Sequence, residues 1–138
     1  MAKPVASAVP QPAGHRYEVL LGYYVIALSV VMMLFGLGQW AIILGIFPGG
    51  GGTFEAMTVE WKIVTMHMAV VDLVAAVGLW MRVPWGAVVW VYAAMSEIVF
   101  HTVFIGKFGA DWPMVSFHLV TLLVFIALTI LVRRHAQA

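Results

Sequence analysis

The chain has 138 residues, 64% hydrophobic and only 9% charged, with a mean hydropathy of +1.03; a soluble domain is about half apolar and a quarter charged, so lipid is the expected solvent. The net charge is +1 and no basic cluster stands away from the termini, which argues against a nucleic-acid partner. With no cysteine, disulfides, thiolate metal sites, iron–sulfur clusters and cysteine nucleophiles are excluded. A metal or haem would need His, Met, carboxylate or Tyr ligands.

Residues 1–16 hold three of the six prolines and no apolar periodicity, and read as a flexible tail. The apolar run behind them is longer than a signal-peptide core and no small-residue cleavage site follows it, so it is expected to be retained. Residues 17–135 read as a single transmembrane domain. Its first span, about 19–46, is uncharged, with Ser29 and Gln39 as its clearly polar side chains. Gly22, Gly36 and Gly38 offer small surfaces for helix contact. Phe47-Pro48 and four glycines, Gly49–Gly52, end it. No Gly-Lys-Ser/Thr follows, so a flexible connection is expected there rather than a phosphate loop.

The second span, about 61–81, carries His67 and Asp72. Arg82-Val83-Pro84 is too short to be anything but a tight turn, which makes spans two and three an antiparallel hairpin. The third span, about 84–105, carries Glu97 and His101, one helical turn apart. Pro113 opens the fourth, about 113–132, which carries His118 and ends at Arg133-Arg134-His135. Trp80, Trp85 and Trp90 suggest one interfacial belt and Trp40, Trp61 and Trp112 the other. The expected fold is thus an all-α membrane protein, a four-helix antiparallel transmembrane bundle. Lys3, Arg16, Arg82, Arg133 and Arg134 share one side, against Lys62 and Lys107 on the other. That bias puts both termini in the cytoplasm.

At 1.5 Å per residue, His67 lies about 10 Å and Asp72 about 18 Å from the outer end of its span, with His101 about 6 Å, Glu97 about 12 Å and His118 about 7–8 Å from theirs. Three histidines from three helices therefore share the outer half of the membrane with Glu97, while Asp72 lies near mid-depth. Ionisable groups at such depth are costly and mark a site to be explained. One reading is structural: Glu97 pairs with His101, and Asp72 bridges to Ser96, Tyr92 or Gln39. A second is a metal held by His67, His101, His118 and Glu97, or a haem between two of the histidines. A third is a proton relay through Asp72, Glu97 and His101. Met66 and Met68 flank His67 but point about 100° away on either side of it, so they fit packing better than copper ligation.

Val70–Trp80, Trp85–Trp90 and Glu97–Thr102 carry a resemblance to a small family of uncharacterised four-helix inner-membrane proteins of alphaproteobacteria, a domain of unknown function, over residues 18–132. The general shape is also similar to DoxX-like membrane proteins, without a specific motif in common. The resemblance implies an inner-membrane location and four helices, and supplies no activity or site residues. The leading expectation is a non-catalytic accessory or assembly subunit of a membrane complex, with no cofactor, in contact with lipid and with other membrane proteins or copies of itself. The alternatives are a metal- or haem-binding redox protein and a proton-coupled carrier, the latter as a dimer.

Overall fold

A computed structural model describes residues 13–137. Twelve residues of the expected tail lie outside that range, but its last four belong to a helix, since α1 runs Ala13–Ile43. The chain continues through a short 3-10 turn, Phe54–Ala56, into α2, Val59–Trp80, and α3, Pro84–Thr102. A single helical turn, α4, Ile105–Phe108, precedes α5, Trp112–Ala136. Pro84 stands in the first turn of α3 and Pro113 in that of α5, where a missing N–H costs nothing. The Asp111 carboxylate caps α5 by accepting from the Met114 N–H at 3.1 Å.

The four long helices pack in sequence around a closed circuit, α1 on α2, α2 on α3, α3 on α5 and α5 back on α1. Their core is small-grained: Ala75, Ala76 and Ala93 sit among Leu28, Met32, Met68, Leu79 and Trp90. The closest approach is between α2 and α3, where a Cβ on Gly86 would lie 2.2 Å from the Gly78 carbonyl carbon. Only hydrogen fits there. Gly36 receives Leu73 in the same manner, whereas Gly38 faces open space. The outer surface is apolar too: Leu34, Val70, Val88 and Leu123 are all more than half exposed. A narrow small-residue core inside an apolar exterior is what lipid solvation permits.

The hairpin between α2 and α3 closes through the bonds Arg82 N–H to Leu79 O and Val83 N–H to Gly78 O, a Schellman stop. Arg82 occupies its left-handed position with φ 55°, a conformation that costs a non-glycine residue about 1–2 kcal/mol. The start of α1 lies against the end of α5, at Gly14 and His135, and Gly22 lies against the Arg82 guanidinium. These three features share one end of the molecule. The glycine loop and residues 103–111 occupy the other.

Three helices, α1, α2 and α5, are long and apolar enough to cross a membrane. The fourth expected span is shorter than anticipated: α3 stops at Thr102, and its 19 residues include Ser96, Glu97 and His101. Trp90 also departs from expectation. It is fully buried, edge-on to Phe125 at 5.3 Å, so the aromatic belt at that end rests on the exposed Trp80 and Trp85.

Candidate functional site

The last two turns of α3 present Glu97 and His101 on one face. His101 Nδ1 lies 3.1 Å from the Glu97 backbone carbonyl and 3.4 Å from its carboxylate Oε2. A carbonyl only accepts, so that hydrogen bond requires the proton on Nδ1 and leaves Nε2 as the basic nitrogen of the neutral ring. With α3 ending at Thr102, His101 sits at the helix rim, and Glu97 about 6 Å further in. Their side chains are 14% and 8% exposed, so the pair is screened from bulk solvent without being sealed from it.

The pair lines a cavity of about 140 Å³, built from all four long helices and the glycine loop. Gln39 of α1, Thr65 of α2, Asp111 and the backbone of Gly49 and Gly50 supply its other polar surface. That volume holds several water molecules. The expected flexible connection is here an ordered roof. Gly49 and Gly52 exchange backbone hydrogen bonds at 2.9 and 3.0 Å, closing a tight turn. The turn lies flat on an indole, since a Cβ on Gly51 would sit 2.7 Å from Trp61 Cγ. Gly50 and Gly51 thus let backbone approach an aromatic face, which side chains would prevent, and Gly52 supplies the positive φ of the turn at 93°.

Deeper groups complete the cluster. Asp72 and His118 are each 1% exposed, and among the described residues neither Asp72 Oδ1 nor either ring nitrogen of His118 has a hydrogen-bond partner. Glu97 is within coulombic reach of both, and His101 of His118. Asp72 does not bridge to Ser96, whose hydroxyl donates to the Tyr92 carbonyl at 2.9 Å. His118 is held between rings instead, 6.4 Å from Phe35 and 5.2 Å from Phe117. Buried polar atoms normally find partners, and leaving one unpaired costs about 1–3 kcal/mol. Three such atoms around one carboxylate need a reason beyond packing.

His67 lies elsewhere. It lines a separate groove of about 440 Å³ between α2 and α3, edge-on to Tyr92 at 5.6 Å and Phe100 at 6.3 Å. Among the described residues, no group of three or more His, Asp or Glu side chains is arranged to hold a metal ion. Glu97 and His101 line the cavity, and Asp72 and His118 lie about one helical turn beyond its lining residues Met68 and Met114, which makes a set of titratable groups behind a polar antechamber. Gln39, expected as a partner for Asp72, lines the cavity instead, while Thr65, Asp111 and the glycine roof belong to the site and were not among its expected members. The capping position of Asp111 before Pro113 was their one visible sequence signal.

The chain belongs to a family of unknown function (DUF6163), whose model matches residues 19–136. That membership agrees with the resemblance to an uncharacterised domain of unknown function. No curated protein and no solved structure matches the chain.

Proposed function

We propose that this chain is an integral protein of the bacterial inner membrane, a four-span antiparallel bundle with both termini cytoplasmic. We propose further that it serves a larger membrane complex, without catalysing a reaction, by taking up and releasing protons at Asp72, Glu97, His101 and His118. Connectivity supports the fourth crossing. The end of α2 lies beside Gly22 near the chain termini, and α5 begins beside the cavity at the opposite end. Only α3 connects the two, and 19 residues of helix reach about 28 Å. The excess of Lys and Arg on the terminal side supports the orientation.

The observation that carries the proton reading is the cluster of unpartnered buried atoms, Asp72 Oδ1 and both nitrogens of His118, about one helical turn beyond a cavity that holds several waters. The fourth such atom among the described residues, Trp90 Nε1, is a donor only and takes up no proton. A proton acceptor must keep a free lone pair, which a purely structural network would spend on a hydrogen bond. The cluster also ends blindly. Further along the helices lie Leu28, Met32, Ala76, Leu79 and Trp90, all buried and apolar, so exchange is with the outer side alone. That favours a proton-holding subunit over a single-chain carrier. Infrared spectroscopy of the detergent-purified protein tests this. The account expects a protonated-carboxyl stretch that rises and falls with pH and is reduced in both Asp72→Asn and Glu97→Gln. A spectrum without any pH-dependent carboxyl band while the protein stays folded would overturn it.

A further inference from the structure

At the end opposite the proton cluster, we infer a binding site for the phosphate of an anionic phospholipid, centred on Arg82. The inference rests on the membrane reading above but on a different set of residues. Arg82 stands at the left-handed stop of α2, with φ 55°, a place where glycine is the least strained choice. A residue kept against backbone preference is explained by what its side chain does. That side chain reaches back to α1, where the missing side chain of Gly22 makes room: a Cβ there would lie 3.2 Å from Nη1 and 3.4 Å from Cζ.

Among the described residues the exposed Arg82 guanidinium has no anionic partner. Ion pairs among the described residues join Glu97 to His101 and Glu60 to Lys107, and neither involves Arg82. Beside it lies a cavity of about 350 Å³ with two kinds of wall. Arg82 and Glu18 stand at its polar rim, while Leu21, Val25, Leu79 and Ala87 form an apolar flank. Glu18 is exposed and makes no ion pair with Arg82. Arg133 and Arg134 end α5 on the same side and add to the positive potential.

An unpaired planar cation at the membrane interface, beside an apolar cleft and with Arg133 and Arg134 on the same side, matches the phosphodiester of a headgroup that carries no ammonium of its own, with an acyl chain beneath it. The choline of phosphatidylcholine would meet the same positive potential. Guanidinium binds phosphate oxygens in pairs, which gives the headgroup an orientation as well as attraction. The chain would then run along Leu21, Val25 and Leu79. A lipid in this position would lie against α1 and the hairpin together and fasten one to the other.

The test uses the full chain in nanodiscs of phosphatidylcholine alone and of phosphatidylcholine with phosphatidylglycerol, read by thermal unfolding and by lipid retained in native mass spectrometry. The wild type is expected to unfold at higher temperature in the anionic discs and to carry away phosphatidylglycerol. Arg82→Gly relieves the backbone, so in phosphatidylcholine it should be at least as stable as the wild type, yet it should lose the anionic shift and the retained lipid. Two results overturn the site: an undiminished shift in Arg82→Gly, which would assign the effect to general surface charge, or an equal shift produced by inorganic phosphate in neutral discs. Failure of the chain to enter either kind of disc would instead remove the membrane reading, and this site with it.

Discussion

His118 is the residue whose burial is hardest to account for by packing. An imidazole with both nitrogens unpartnered between two phenyl rings pays desolvation without return. His118→Leu should therefore stabilise the protein by roughly 1 kcal/mol or more, measured by unfolding in detergent, because it removes two orphaned polar atoms at nearly constant volume. Destabilisation on this change would mean that His118 holds an ordered partner. The same residue shows what sequence reading could reach. Rise along a helix fixes position along its axis, so His67, His101 and His118 were legible as lying toward one end of the bundle. Azimuth was not legible, because both the core and the exterior of a membrane helix are apolar and no polar face marks which way a residue turns. His67 accordingly shares the depth of the others and lines a different groove.

Among the elements, the glycine loop and the α2–α3 hairpin both depend on backbone approaching closely. Gly51→Val would drive a branched side chain into Trp61 and lift the turn from the indole. Faster amide exchange around Thr65 and Trp61, with little change elsewhere, is the expected outcome; unchanged exchange would show that the turn does not shield the cavity. In the hairpin, Gly86→Leu would have to displace the backbone of α2, not merely a flexible side chain. Overpacking commonly costs about 1–3 kcal/mol, and a clash with rigid backbone belongs at the upper end or beyond. Loss of folded protein in detergent, already in Gly86→Ala because the Cβ alone meets backbone, checks that. The helices themselves were plain in the sequence from apolar run length, and the hairpin from its three-residue turn. The roof was not, because consecutive glycines are equally compatible with a flexible linker until an aromatic face is found beneath them. Likewise, the apolar Val103–Ile105 stretch extended the expected third span beyond its actual stop at Thr102.

Taken as a whole, the molecule has a titratable half beneath the glycine roof and an apolar half closed by Arg82 and the arginines at the end of α5. The cavity and its glycine roof lie away from the chain termini, so the account makes a claim about sides as well as about chemistry. The absence of native cysteine allows it to be checked with single introduced thiols, each the only one in the protein. Gln39 lines the cavity and Gln137 follows α5 at the opposite end. In spheroplasts exposed to a small, charged, membrane-impermeant thiol reagent, Gln39→Cys should be modified from outside, and Gln137→Cys only after the membrane is permeabilised. Modification of Gln137→Cys in sealed spheroplasts, with Gln39→Cys protected until permeabilisation, would contradict the placement of the proton-exchanging cluster on the outer side.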